Sequence, residues 1–385
     1  MRIAFESQLF LKGNKTGIAW CADNVIKKLA LKETCECNYF SLHYSEDAVD
    51  SVKKYEKYGV KMNNCSWFHD VLYKLIWPIL PVPYSLFFGK KADITQFFNC
   101  VVPPGVKGKT VVIVHDMAYK VCPDTVRLKT KRWLQLTLKN SCKRADAIVT
   151  VSEASKRDII KYLGTAPEKI TVMPNGVDFD LFHNRYAAEE INLVKQKYKI
   201  NGSYFLYLGT LEPRKNIPRM LTAYKIFLEK NEWKQMPQPK FVIAGGKGWL
   251  YDSIFETVKK LQIEDNVIFT GYVETEEAPK LMSGAIAFVF PSLYEGFGMP
   301  PIEAMACGAP VISANISSLP EVVGDAGILV NPYSESDICN AMEQLFFNEK
   351  LRDQYIKMGL EQARKYTWEN SANILYELYK KMMVK

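Results

Sequence analysis

The chain reads as short, nearly continuous apolar runs separated by longer stretches in which apolar residues recur every three or four positions. In the first half the runs are "RIAF", "ITQFF", "TVVIVHD", "AIVTVS" and "ITVMPNGV". In the second they are "YFLYLGT", "KFVIAGG", "NVIFTGY", "AIAFVFPS", "APVISAN" and "AGILVN". None alternates apolar with polar, which is the pattern of strands buried on both faces of a parallel sheet. The intervening stretches predict helices over 19–29, 127–143, 153–162, 217–230, 249–261, 277–283, 301–305 and 336–347. Strand and helix alternate through both halves, so the pattern predicts an α/β chain of two doubly wound, Rossmann-like domains.

The boundary is expected in "MPNGVDFDLFHNRYAAEE", where Asn175-Gly176 signals a turn and strand character ends. This gives an N-terminal domain over 1–180 and a second over 181–365. A last amphipathic helix over 366–385 follows a domain that already looks complete, and is expected to pack back on the N-terminal one. The length of 385 residues accommodates two domains.

Composition adds the class. With 48% apolar and 24% charged residues the chain can build full cores. "LIWPILPVPYSLFF" is its most apolar stretch, too short and too proline-rich for a membrane span. "MRIAFESQLF" opens as a strand and lacks the basic-then-apolar order of a signal peptide. Nine cysteines, without paired zinc spacing, suggest free thiols in a reducing compartment. The expectation is a cytoplasmic protein, peripheral at the inner face of a membrane.

Charge is asymmetric. The net +8 lies entirely in residues 1–190, with 28 Lys and Arg against 20 Asp and Glu; residues 191–385 balance at 22 and 22. The segment 124–144, "DTVRLKTKRWLQLTLKNSCKR", concentrates it. Two readings stand for this Arg127–Arg144 region: a sheet-covering helix with a solvated basic face, or a surface for anionic lipid. No nucleic-acid motif or stacking platform accompanies the charge, so nucleic acid is not an expected partner.

Ligands of open parallel sheets bind beyond the carboxyl ends of strands, which directs attention to the residues there. In "GTLEPRKN", the chain turns at Gly209 and presents Arg214 and Lys215 before a helix. Such adjacent cations suit a diphosphate, and the helix N-terminus adds donors. His115 ends another strand, placed to contact a hydroxyl or to tie down the next loop. "KGNKTGIAW" enters a helix through Gly17 but is neither a dinucleotide fingerprint nor a P-loop. Asp178-Phe179-Asp180 lies in the linker, without clustered carboxylates, and no metal is expected. In "LYEGFGMPPIEAMACGAP", Glu295 and Glu303 flank Gly296, Phe297 and Gly298. The glycines let backbone approach a ligand, and Pro301 suits the first turn of a helix, placing Glu303 in that turn.

The segment "EGFGMPPIE" resembles the E-x7-E motif of retaining glycosyltransferases of family 4, which have the GT-B fold. "LYLGTLEPRKN", "TVSEASKRDI", "VMPNGVD", "FTGYVE", "LPEVVGDAGILVNP" and "YTWENSA" resemble family segments in the same order, over essentially the whole chain. The resemblance implies two domains facing across a cleft, the second binding a nucleotide-sugar donor. By this resemblance Arg214 and Lys215 neutralise the diphosphate, Glu303 holds the ribose, and Glu295 lies beside the transferred sugar. Gly296, Phe297 and Gly298 would bind that sugar, with Thr16, Gly17 and Gly209 near the donor and His115 near the anomeric centre. Catalysis would fall to His115, Arg214, Lys215 and Glu295, with no metal and no cofactor. The whole chain is similar to bacterial mannosyltransferases of surface polysaccharide synthesis. GDP-mannose is therefore the first donor expectation, with UDP-glucose and other UDP-sugars as alternatives. The acceptor would be a glycan or lipid-linked saccharide. A glycoside hydrolase, suggested by the two carboxylates, and a non-catalytic sugar-nucleotide binder are the readings outside this class.

Overall fold

A computed structural model describes residues 1–12, 17–89, 92–230, 233 and 236–384. The chain divides into two compact units. The first comprises Met1–Lys120, Leu128–Gly176 and Thr367–Lys385; the second comprises Val121–Arg127 and Val177–Tyr366. The change at 176/177 falls four residues before the boundary read from the sequence. Residues Val121–Arg127 belong with the second unit, an excursion that no composition shift announces.

The first unit is built on seven strands: β1 (Arg2–Glu6), β2 (Thr34–Phe40), β3 (Lys61–Cys65), β4 (Ile94–Phe97), β5 (Lys109–Ile113), β6 (Ala147–Thr150) and β7 (Ile170–Val172). Their order is β3-β2-β1-β4-β5-β6-β7, and every pairing is parallel. Parallel neighbours require crossovers, and these put helices on the sheet faces. The apolar runs of the central strands are therefore buried: Ile3, Phe5, Val111, Val112, Ile113 and Ile148 lose all exposure. Helix Trp368–Val384 packs on helix Gly17–Ala30, and its Tyr379 hydroxyl donates to Gln96 Oε1 at 2.7 Å.

The second unit holds β8 (Tyr204–Leu208), β9 (Lys240–Ala244), β10 (Val267–Gly271), β11 (Ala287–Phe290), β12 (Val311–Ala314) and β13 (Ile328–Val330). Their order is β10-β9-β8-β11-β12-β13, again all parallel. Gly245 shows how tightly the strand ends are drawn together. Its φ is +141°, and a Cβ there would stand 2.0 Å from the Gly209 carbonyl oxygen. Only glycine fits.

Each sheet changes winding direction once, between β1 and β4 in the first unit and between β8 and β11 in the second. A crevice forms beyond the strand ends at such a switch point. Glu6, Gln8 and Asn99 in the first unit, and Arg214, Lys215 and Glu295 in the second, end or follow the strands at these two places.

Candidate functional site

In the second unit the chain leaves β8 at Gly209 and makes a short 3-10 turn, Pro213–Lys215, before helix Ile217–Lys230. Asn216 between them is left-handed, with φ 61°. Its side-chain amide donates to the Pro291 carbonyl at 3.1 Å and the Pro332 carbonyl at 2.7 Å. The turn is thus fastened to the loop after β11, and Arg214 and Lys215 are held against Glu295.

The resulting cluster is paired, with Lys215, Glu212 and Glu295 buried and Arg214 half-buried. Lys215 Nζ lies 2.6 Å from Glu295 Oε1, which also accepts from Ser292 Oγ at 2.6 Å. Arg214 Nη1 reaches Glu295 Oε2 at 3.4 Å, and Arg214 Nη2 donates to Glu212 Oε1 at 2.8 Å. Lys215 also sits over the Phe290 ring, 4.9 Å from its centroid. Burial pushes the Glu295 carboxyl up, but the Arg214 and Lys215 charges and the Lys215 and Ser292 hydrogen bonds outweigh it. Glu295 is held below the usual glutamate range, ionised at neutral pH. Two cations thus share one small volume with two carboxylates.

Glu303 behaves oppositely. Burial, then the nearby charge of Asp178, raises its carboxyl to about 7, although part of the side chain reaches solvent. Its position also differs from expectation. Helix Met299–Ala306 starts two residues before Pro301, so Glu303 occupies the second turn rather than the first. The earlier start follows from Gly298, whose φ of +117° caps the helix, and from Pro300 and Pro301, which need no donor in a first turn. A Cβ at Gly298 would meet Leu319 Cδ2 at 2.8 Å. The loop Glu295–Gly298 is pinned by Ser318, whose Oγ lies 2.7 Å from the Phe297 carbonyl and 3.0 Å from that of Glu295. Phe297 is buried against Tyr366, with ring centroids 5.5 Å apart. Gly209 lines a separate hollow of about 250 Å³ with Thr210, Gly245, Gly246, Lys247 and Tyr272.

In the first unit His115 follows β5. Burial lowers its pKa below the ordinary histidine value, and its Nε2 lies 3.0 Å from the Phe98 carbonyl. A carbonyl only accepts, so Nε2 carries the proton and Nδ1 is left as the acceptor. Gly17 is the first residue of helix Gly17–Ala30; Thr16 falls outside the described residues.

At the switch point of this unit lies a cavity of about 420 Å³. Glu6 and Gln8 reach it from the end of β1, Phe97 and Asn99 from the end of β4, Trp133 from a flanking helix and Trp77 from just past the end of another. Tyr84 also lines it, with a buried hydroxyl that makes no hydrogen bond among the described residues. Asn38 Oδ1 accepts from Asn63 Nδ2 at 3.0 Å, and the Asn38 side chain lies beside the Tyr84 hydroxyl. The aromatic walls and few polar groups are those of a small-molecule site.

A family model described as "Glycosyl transferases group 1" matches residues 190–362, and one described as "Glycosyltransferase Family 4" matches residues 59–181. O-antigen chain mannosyltransferase B of Escherichia coli is 30% identical over 99% of this chain and 100% of its own length. The chain belongs to the family 4 glycosyltransferases. The O-antigen chain mannosyltransferase RfbU of Salmonella typhimurium is 30% identical over 77% of this glycosyltransferase and 76% of its own length. Among solved structures, sucrose-phosphate synthase of Thermosynechococcus elongatus superposes with a TM-score of 0.74 at 18% identity, covering 100% of this chain and 99% of that one. That likeness shows the GT-B fold.

Three features of this glycosyltransferase, two roles and one cavity, are not marked by any local signal in the sequence. Glu212 stands in the quoted "LEPRKN" but gives no sign of clamping Arg214. Ser292 is visible only as a strand-end serine. The cavity of the first unit is assembled from segments scattered between Glu6 and Trp133, and no local motif marks it.

Proposed function

We propose that this glycosyltransferase moves mannose from GDP-mannose to a hydroxyl of a saccharide acceptor, with retention of anomeric configuration and without metal. The observation that carries the reading is the ion-paired Arg214–Lys215–Glu295–Glu212 cluster at the switch point of the second unit. As the sugar–diphosphate bond breaks, negative charge develops on the leaving nucleoside diphosphate. Arg214 and Lys215, already fixed in place, stabilise that charge without reorganising. Glu295, ionised between them, sets their geometry and in this reading accepts from hydroxyls of the transferred sugar. Glu303, a turn into the next helix, accepts from the ribose diol. His115, neutral with Nδ1 as acceptor, serves the sugar near its reacting carbon. Mannose is favoured by the names of the two curated relatives, both O-antigen mannosyltransferases.

The cavity of the first unit suits the acceptor. Trp77 and Trp133 line it with aromatic rings, Glu6 accepts from hydroxyls, and the Tyr84 hydroxyl is one more polar group for the ligand. The cations of the Arg127–Arg144 region suit an anionic membrane surface as a further partner.

The test is a donor panel with purified protein: GDP-mannose, UDP-glucose and ADP-glucose, each with and without a mannoside acceptor. Expected is acceptor-dependent consumption of GDP-mannose alone, with an α-linked product by NMR. Donor consumption that needs no acceptor would instead mark a hydrolase. Preference for a UDP-sugar would overturn the donor assignment and leave the reaction class intact.

A further inference from the structure

Helix Asp70–Ile76 is turned inside out relative to an ordinary surface helix. Its polar and aromatic residues Asp70, Tyr73 and Lys74 face the cavity, as does Trp77 just beyond it. Asp70 is fully paired, 2.9 Å from Lys74 Nζ. The outward side is apolar. Trp67, Leu72, Leu75, Ile79, Leu80 and Leu86 all lie within twenty residues, and each is between 46% and 83% exposed. Isolated exposed leucines need no explanation, but a set of this size within one segment marks a contact surface.

The neighbouring element identifies the partner. Helix Leu128–Arg144 contains six cations and no acid. It packs on the first segment through Trp133, whose ring centroid lies 6.1 Å from that of Trp77, and through Arg144, which stacks on Trp77 at 5.2 Å. Arg144 is engaged there and with the Val102 carbonyl, and Arg127 stacks on Trp249 in the second unit. The cations left to solvent include Lys129, Arg132, Lys139 and Lys143, recurring at helical spacing with the exposed Leu136 among them. Residues 67–89 contain a single acid, the buried Asp70. The two segments are therefore apolar and cationic, and neither contributes an exposed acid. A second copy docking symmetrically would set like charges together. Anionic lipid matches the charge, and its hydrocarbon matches the leucines.

We propose that residues 67–86 insert their apolar side chains into an anionic bilayer, with the helix Leu128–Arg144 supplying the headgroup contacts. The inference rests on the membrane-surface reading given above and deepens it from electrostatic contact to insertion. It also places the acceptor cavity directly behind the inserted helix, since Tyr73 and Trp77 line one and Leu72 and Leu75 form the other.

The experiment is flotation with phosphatidylcholine vesicles containing phosphatidylglycerol, at low and high salt. It compares wild type, Leu75→Ser/Ile79→Ser/Leu80→Ser and Lys129→Ser/Arg132→Ser/Lys139→Ser. Thermal unfolding checks that each variant is folded. Expected is about a tenfold or greater loss of partitioning in the apolar variant, and wild-type binding that partly survives high salt. Brominated lipid should quench wild-type fluorescence more than that of Trp67→Phe. Binding abolished by salt and unchanged in the apolar variant would overturn insertion while leaving the electrostatic reading standing. No binding by wild type would overturn both. A concentration-dependent dimer, lost in the apolar variant and without vesicle binding, would show that the face meets a second copy.

Discussion

Lys215 Nζ and Ser292 Oγ converge on one oxygen of Glu295, each at 2.6 Å, while Arg214 stands at 3.4 Å from the other. The carboxylate is therefore an organiser of cations. Removing one member of a buried ion pair leaves its partner uncompensated, at a cost of roughly 3–5 kcal/mol. Lys215→Ala should accordingly lower the unfolding temperature as well as turnover. The expected turnover loss is about 10²- to 10³-fold, the scale of removing a charge-stabilising donor. Steady-state kinetics and calorimetry on Lys215→Ala, Glu295→Ala and the double variant test this as a cycle. Additive stability effects would mean that the pair is not coupled.

Glu303 titrates where enzymes are assayed. Its carboxyl is raised to about 7 in the folded protein, above the ordinary range it keeps when unfolded. Between the unfolded and folded values the native state holds the extra proton. Its favourable contribution is thus full at pH 4 and is lost as pH rises through about 7. Wild-type stability should decline from pH 5 to pH 8 relative to Glu303→Gln. Donor affinity should run the other way, because the ionised carboxylate is the better acceptor for ribose hydroxyls. Thermal shift with and without GDP, across that range, measures both slopes. Parallel curves for wild type and Glu303→Gln would dissociate Glu303 from the ribose.

How far the sequence reached is shown by particular residues. The uniformly apolar strands such as Val111–Ile113 and Phe288–Phe290 announce themselves, because burial on both faces leaves no other composition. β2 and β3 do not. β2 buries Glu36, which pairs with Arg2 at 2.8 Å, and edge strand β3 reads "KMNNC". Tertiary partners make these polar segments strands, and periodicity cannot see partners. The same divide runs through the site. Arg214, Lys215 and Glu295 were legible as charged residues at strand ends. The Glu212 clamp and the left-handed Asn216 depend on contacts across the fold.

Asn216 carries the next expectation. Its amide closes two buried carbonyls, of Pro291 and Pro332, and its backbone sits at φ 61°. Asn216→Ala removes both bonds and puts a residue that dislikes the left-handed region there. The loss should be about 2–4 kcal/mol. Because the same amide fastens the Arg214–Lys215 turn, GDP affinity should also fall in protein that remains folded. Chemical denaturation and calorimetric GDP binding test the two parts separately. Unchanged GDP affinity would show that the turn holds its shape without this tie.

His115 should stay neutral through the working range. Burial depresses its pKa, and the Phe98 carbonyl fixes the proton on Nε2. Nitrogen NMR should report the Nε2–H tautomer with no titration between pH 6.5 and pH 8. The pH profile of turnover should then have no limb from this residue. An imidazole that titrates near 7 would contradict the assignment of Nδ1 as a standing acceptor.

The cavity of the first unit makes the last prediction unusually separable from folding. A buried hydroxyl without a hydrogen bond is a cost to the native state, so deleting it is neutral or favourable. Tyr84 Oη is such a group, and its ring packs edge-on against Phe97 at 5.5 Å. Tyr84→Phe keeps the ring and its packing. Its stability should match wild type within about 0.5 kcal/mol, or exceed it. If the acceptor occupies the cavity, the hydroxyl is one of its partners, and acceptor KM should rise several-fold while donor KM is unchanged. An unfilled acceptor term in the kinetics, with both KM values unaltered, would remove the cavity from the acceptor's path. A rise in donor KM alone would place it on the donor's side instead.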